Sequence, residues 1–383
     1  MRMIFHLPFD LQFSKTKTGI SGSYIRPQKM LQAFEELGYV VDTVWGRASE
    51  RKTKINEIKQ NVSRGIQYDF IYTESSTMPT LLTEPNHIPI SPSIDFGFFR
   101  WAKKNGIPIG LFYRDIYWRF EHYKKQVSWY KTFIATVFYY FDLFFYYRLV
   151  DYLFLPNMKM LDELPGVWRK DCIYALPPGG CKSTQYAATT LMQLPLKLIY
   201  VGGVLPPLYD LSAIFQGLKG FTSEEVQLTL CCREQEWQKC KEQYELPYNN
   251  TIHIVHEHGD SLKQRYLDSN VALLLYRHCS YREFAMPIKM FEAISYGIPI
   301  ISNINTAVGD FVEQEGIGWV IEGNPESFQS WLKFIIEHPE QIKQKSQIVK
   351  ERAVYHTWQE RAKRVAKILS GGLNNESCYF SSR

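Results

Sequence analysis

Among the seven cysteines, Cys172, Cys181, Cys231, Cys232, Cys240, Cys279 and Cys378, no Cys-x-x-Cys pair occurs, and their number is odd. That argues against a disulfide framework or a zinc site and for a reducing cytoplasm. Long apolar runs are missing as well. The N-terminal MRMIFHLPFD is too short for a signal peptide and reads as a first strand. The longest aromatic stretch, Thr132 to Tyr147, has 16 residues and is interrupted by Asp142, which is short for a membrane span. There is no internal repeat and no low-complexity tract. Net charge is a modest +5, but it is uneven: residues 101–150 hold eight Lys or Arg against three acids.

What is present is ample apolar material, 45% of 383 residues, which argues against disorder and for more than one core. The first half alternates strands and helices. Met3–Phe9 reads as a strand, a Gly/Ser loop follows, and Arg26–Leu37 is an amphipathic helix ending at Gly38. Tyr39–Trp45, Asp69–Thr73, Ile107–Tyr113 and Leu153–Pro156 continue as strands, a βαβ rhythm that predicts a parallel sheet covered by helices. Leu176-Pro-Pro-Gly-Gly180 can continue neither element and marks a linker. A second alternation then begins at Leu198–Val201, running into Gly202-Gly203. The reading is therefore α/β: a first Rossmann-like domain over 1–177 and a second over 178–350. A helix over 351–370 packs back toward the first, within a long terminal helix from about Pro339, and a disordered tail covers 371–383. Two doubly wound domains make a cleft between the carboxyl ends of their sheets, where such folds bind ligands.

The most informative stretch is PIKMFEAISYGIPIIS, residues 287–302. Ile288, Phe291, Ile294 and Ser295 follow helical spacing, Gly297 is a plausible stop, and Ile298, Ile300 and Ile301 make a buried strand. Lys289 and Glu292 are three apart and share a helix face, so they are either a solvated pair or part of a site. A glutamate near a helix N-terminus, favoured by the dipole, is the plainer account of Glu292.

PIKMFEAISYGIPII resembles the donor-site signature of bacterial retaining glycosyltransferases of the GT-B fold (glycosyltransferase family 4-like). LIYVGGVLPPLYDL resembles the start of their second domain, and KTGISGSYIRPQKMLQAFEELGYVV their first Gly-rich loop and helix. NTAVGDFVEQEGIGWVI and HTWQERAKRVAKIL resemble later elements, so the likeness covers most of residues 1–369. It implies that Glu292 holds the two ribose hydroxyls of a nucleotide sugar, for which a carboxylate has the acceptor capacity. It also implies that Lys289, Met286 and Pro287 lie at its diphosphate, near a helix N-terminus.

The pattern departs from the family in places. The family's second glutamate falls at Phe284, with Glu283 one residue away as a shifted replacement. The Arg and Lys expected after the Gly-Gly turn are Val204, Leu205, Pro206 and Pro207, although a departing diphosphate still needs positive charge. Arg233, Arg277, Arg282 and Lys289 are the substitutes available. Gly202 and Gly203 would let backbone approach the phosphates or simply form a tight turn. Gly19, Ser21 and Gly22 fill the matching acceptor-side loop. Arg114-Asp115 stands where the family often has His-Asp, so Asp115 either positions the acceptor hydroxyl or caps the next helix. His256-Glu257-His258 lacks a third ligand and reads as a loop near the base rather than a metal site. No cofactor and no metal are expected.

Residues 118–154 interleave aromatics with Lys and Arg. The segment is either a buried helix with basic flanks or a surface resting on anionic lipid, with Lys124, Lys125 and Lys131 among headgroups and Trp129 at the interface. No RNA-binding signature accompanies it. The resemblance implies a hexosyltransferase-type enzyme on the inner membrane face. Its partners would be a nucleotide-sugar donor and a lipid-linked glycan acceptor for a surface polysaccharide, with no nucleic acid. A sugar-nucleotide epimerase of the same fold and a catalytically silent subunit stay open as alternatives.

Overall fold

The protein is described from a computed structural model covering all residues except 12–21, 90, 184, 188–193, 248–249, 278 and 372–383, and the side chains of 22, 23, 122 and 126. It divides into two units, Met1–Pro177 with Trp358–Arg383, and Pro178–Thr357.

The first unit runs β1 (Arg2–His6), α1 (Gly22–Glu36), β2 (Val40–Val44), α2 (Ala48–Ser63), β3 (Ile71–Glu74), α3 (Ile94–Lys104) and β4 (Ile109–Phe112). It continues with α4 (Glu121–Gln126), α5 (Trp129–Leu149), β5 (Tyr152–Leu155), α6 (Lys159–Glu163) and β6 (Ile173–Ala175). All strand pairings are parallel, in the order β2-β1-β3-β4-β5-β6. Central strands are buried throughout, as β3 and β4 are, because helices cover both faces of such a sheet. The edge strand β2 is only partly buried.

The second unit runs β7 (Leu196–Val201), α7 (Ser212–Gly217), β8 (Val226–Cys231), α8 (Glu234–Cys240), β9 (Ile252–Val255), α9 (Asp260–Leu267) and β10 (Val271–Leu274). Then come α10 (Ile288–Ser295), β11 (Ile300–Asn303), α11 (Ala307–Glu315), β12 (Gly318–Ile321), α12 (Pro325–Glu337) and α13 (Glu340–Ala353). Its order, β12-β11-β10-β7-β8-β9, reverses direction between β7 and β10, the switch point at whose carboxyl ends ligands bind. In the first unit the corresponding reversal lies between β1 and β3.

The long helix expected from Pro339 to Leu369 is not continuous. It breaks after α13 into a short 3-10 turn, Val354–His356, and an extended Thr357, and α14 (Trp358–Leu369) belongs to the first unit. There α14 packs on α1, and the Arg361 Nε donates to the Pro177 carbonyl at 3.1 Å. Gly297 stops α10 as expected, at φ +74°, a left-handed conformation open to glycine.

The aromatic segment forms α5, and it has two different apolar faces. Ala135, Tyr139, Asp142, Tyr146 and Leu149 face inward. Tyr139 stacks on Trp118 at 4.6 Å and Phe145 on Phe96 at 4.8 Å. The opposite stripe is in water: Trp129 is 81% exposed, Phe133 66%, and Tyr130, Ile134, Val137, Tyr140, Phe144 and Tyr147 about half. No helix among the described residues is long and apolar enough to cross a membrane.

Candidate active site

The predicted donor residues gather at the carboxyl ends of the second sheet. Pro287 is extended (φ −76°, ψ 138°) and opens α10, whose fifth residue is Glu292. Glu292 thus lies beyond the first helical turn, and the dipole account expected for it does not apply. Instead Lys289 Nζ spans its carboxylate, 3.1 Å from Oε1 and 2.8 Å from Oε2, and the Tyr266 hydroxyl of α9 donates to Oε2 at 3.3 Å. Both side chains are about a third exposed. The carboxylate is therefore oriented yet keeps lone pairs open to solvent, since its two oxygens can accept about four bonds. Burial, followed by the Glu292 charge, holds the Tyr266 phenol well above its ordinary pKa, so it remains a donor.

Two residues past β8, Arg233 caps α8 and pairs with Glu236 at 2.8 Å on the surface. His256 follows β9, and its Nδ1 lies 2.9 Å from the Cys232 carbonyl, which fixes Nδ1–H as donor and leaves Nε2 as an acceptor in the neutral ring. Glu257 pairs with Arg265 of α9 at 2.7 Å, so the polar loop after β9 is held by its own ions.

A cavity of about 220 Å³ opens beside these residues, at the ends of β10, β11 and β12. Tyr276, Arg277, Arg282, Pro287 and Thr306 are among its lining residues. Asn303 clamps the rim: its Oδ1 accepts from the Tyr276 N–H and its Nδ2 donates to the Tyr276 carbonyl, both at 2.9 Å. Of the four cations weighed in the sequence, Arg282 alone is set in a rigid frame. Its guanidinium lies 3.9 Å from the Tyr209 ring centroid and 4.6 Å from that of Tyr276, and its Nε donates to the Leu208 carbonyl at 3.0 Å. One terminal nitrogen is buried with no hydrogen-bond acceptor. Arg277, by contrast, is mostly exposed and 3.8 Å from Asp210.

Gly203 is shaped by this frame: a Cβ there would come within 2.9 Å of the Tyr209 ring. Gly202 donates to the Cys231 carbonyl at 3.1 Å and ties β7 to β8. Glu283 sits at the end of the Ser280–Arg282 turn, where its carbonyl accepts from Ala307 N–H at 2.6 Å. Its neighbours Arg282 and Ala285 line the cavity. Phe284, where the second glutamate was expected, is buried against Tyr281.

A profile of the family described as glycosyl transferase-like matches residues 214–367, which span α7 to α14 and include the whole Lys289–Glu292 element. That match covers most of the second unit, and the two parallel six-stranded sheets give the whole chain the two-domain GT-B fold. HepE from Anabaena, solved with UDP-glucose, superposes with a TM-score of 0.63 at 12% identity, covering 97% of this chain and all of that one. Sucrose-phosphate synthase from Thermosynechococcus elongatus gives 0.59 at 13%, covering 96% and 98%. WaaG, a glycosyltransferase involved in lipopolysaccharide biosynthesis, gives 0.55 at 11%, covering 97% and 100%. At such identities the likeness concerns fold. No curated protein sequence matches.

Of the residues expected in the acceptor-side loop, Gly19 and Ser21 lie outside the described residues, and Gly22 is the first residue of α1. Asp115 follows β4, and its Oδ1 accepts from the Tyr117 N–H at 2.8 Å, an Asx turn leading into the short 3-10 helix Tyr117–Arg119, whose cap position is Ile116. Arg114 turns inward to Glu74, donating to Oε2 at 2.9 Å. Lys124, Lys125 and Lys131 are exposed beside Trp129. Sequence reasoning passed over Tyr209, Tyr266, Tyr276 and Asn303. A lone Tyr or Asn after a strand carries no signal until the fold shows what stacks on it.

Proposed function

We propose that this protein is a glycosyltransferase that moves a hexose, with retention, from a nucleotide-diphosphate sugar to a lipid-linked glycan at the inner face of the cell membrane, in the assembly of a surface polysaccharide. The observation that carries the reading is the outer face of α5. Eight large apolar side chains there are exposed in one stripe, far more than scattered surface residues need. The exposed Lys124, Lys125 and Lys131 adjoin it. An apolar stripe with a basic margin suits the surface of an anionic bilayer, where a lipid-linked acceptor resides.

On the donor side, Glu292 accepts from the two ribose hydroxyls, steadied by Lys289 and Tyr266. Arg282 and Lys289 face the diphosphate, in place of the Arg and Lys that Val204 to Pro207 lack. Gly202, Gly203, Met286 and Pro287 bring backbone to the phosphates, and Arg233 and His256 lie toward the nucleoside. The bond from the anomeric carbon to the diphosphate breaks as the bond to the acceptor oxygen forms on the same face. The acceptor proton passes to the departing phosphate oxygen, so no enzyme nucleophile is required. Asp115 and Glu283 position the acceptor and the sugar. Positive charge comes from side chains, and no metal or cofactor is invoked.

A thermal-shift series over nucleoside diphosphates tests the donor half, because a specific ligand stabilises by mass action above its dissociation constant. One base should stand out, and Glu292→Ala should weaken that ligand by about tenfold or more, the value of a charged hydrogen bond. Unchanged affinity in the variant would show the ribose assignment to be wrong.

A further inference from the structure

At the carboxyl edge of the first sheet, two arginines converge on one carboxylate. Glu74, the last residue of β3, is fully buried. Its Oε1 accepts from the Tyr72 hydroxyl at 2.8 Å and its Oε2 from Arg114 at 2.9 Å. Arg26 of α1 approaches the same carboxylate, with Nε 3.3 Å from Oε1, but without hydrogen-bond geometry. Its guanidinium lies 3.5 Å from the centroid of the Phe112 ring, at the end of β4, and 5.8 Å from that of Trp358. Only 4% of Arg26 is exposed, and none of its three guanidinium nitrogens has an acceptor.

A guanidinium carries five N–H donors and keeps its charge in any protein. Glu74 accepts from a phenol and a second guanidinium, and although Arg26 is ion-paired to it, none of the Arg26 donors reaches it in hydrogen-bond geometry. Two aromatic rings offer faces, not lone pairs. Burying an ionised group so poorly satisfied is unfavourable unless a further acceptor arrives. The location is one where acceptors arrive: Arg26 is in the second turn of the 15-residue α1, and Glu74 ends β3 at the reversal between β1 and β3. Burial lowers the Arg114 pKa, while the adjacent Glu74 opposes this and Arg26 adds to it, so the two cations compete for one anion.

We infer that Arg26, with Arg114 and the amino end of α1, forms a binding site for a phosphate-type oxyanion on the first unit. Guanidinium forks match tetrahedral oxyanions in geometry, and a helix amino end adds N–H donors and a favourable dipole. Under the proposed function such a group has two sources, the diphosphate of the donor and the phosphate joining an acceptor glycan to its lipid. The site itself depends on neither.

Titration calorimetry of the full chain with inorganic pyrophosphate, at constant ionic strength, tests the site directly. Wild type should bind, and Arg26→Met should lose about tenfold or more in affinity, as expected for lost charged hydrogen bonds to an oxyanion. Since Arg26→Met removes a buried, unsatisfied cation, its melting temperature without anion should equal or exceed that of wild type. Should it fail to fold, Arg114→Gln gives the same reading from the other guanidinium. Wild type that ignores pyrophosphate, or unchanged affinity in the folded variant, overturns the site. Two further titrations separate the sources. Loss of nucleoside-diphosphate affinity in Arg26→Met assigns the site to the donor, and loss of geranyl-diphosphate affinity with the nucleotide unaffected assigns it to the acceptor.

Discussion

Asp142 sits on the inner face of α5, and replacing it with Asn isolates one titration. Its Oδ2 accepts from the Thr80 N–H at 2.7 Å, while Oδ1 is buried with no donor. Burial pushes its carboxyl up from 3.8 to about 7, against the pull of the Thr80 bonds and with a small push from Asp95. In the unfolded chain the carboxyl ionises near its ordinary value. Below about pH 4 both states hold the proton, and Asp142 has no differential effect. From about pH 4 to 7 the folded state is protonated and the unfolded state is not, so stability falls as pH rises. The accumulated loss is on the order of 4 kcal/mol above pH 7, from a shift of about three units at 1.36 kcal/mol each.

Asn keeps an acceptor for Thr80 and does not ionise. Asp142→Asn should therefore leave stability almost unchanged at pH 4.5 and raise it increasingly toward pH 8. The gain at pH 8 should reach roughly 8–16 °C in melting temperature, from about 4 kcal/mol at roughly 2–4 °C per kcal/mol for a unit of this size. Thermal unfolding from pH 4.5 to 8, with amide exchange along α5 to localise the effect, gives the measurement. A variant with the same pH slope as wild type, or one less stable at pH 8, would refute the reasoning. In that case Asp142 is ionised in the fold.

Replacing Lys124, Lys125 and Lys131 together with Glu should release the protein from anionic vesicles, since each lysine contributes about 1 kcal/mol near such a surface. High salt should do the same to wild type, and a vesicle sedimentation assay reads both. Phe133→Ser with Phe144→Ser should abolish vesicle binding with little change in melting temperature, because both rings are already in water. A large drop in stability would mean that the stripe is covered within the protein. Gly203→Ala should displace the Tyr209 ring from Arg282, costing about 1–3 kcal/mol of stability by overpacking. It should also weaken nucleoside-diphosphate binding, checked by calorimetry, whereas Gly97→Ala, with open space around its Cβ, should leave binding alone.

Element types and their alternation could be read from the chain, because buried parallel strands write themselves as short β-branched runs and their helices as 3.6-residue periods. PIKMFEAISYGIPIIS shows how far this goes. Its helix, glycine stop and strand stand where expected, since spacing and a left-handed glycine are local properties. Apolar character outlasts the hydrogen-bonded ladder, so the sequence marks strands a residue or two too long, as at Ile107–Tyr113 against Ile109–Phe112. The break at Thr357 is hidden in the sequence, because helical periodicity on both sides conceals a 3-10 turn and one extended residue between α13 and α14.

What the sequence determined by itself, then, was two βα alternations, the linker between them and the helix bearing Lys289 and Glu292. Those follow from periodicity and from residues whose backbone preferences are intrinsic. Tertiary structure alone decided which of four cations is rigid, because Arg282 is held by Tyr209, Tyr276 and the Leu208 carbonyl, up to 74 residues away. It decided that Glu74 is shared by Arg26 and Arg114, which come from different parts of the chain. It decided, too, which side of α5 meets water. That helix is aromatic on both faces, so no periodicity distinguishes them, and only the packing of Phe96 and Trp118 against the inner face leaves the outer one bare.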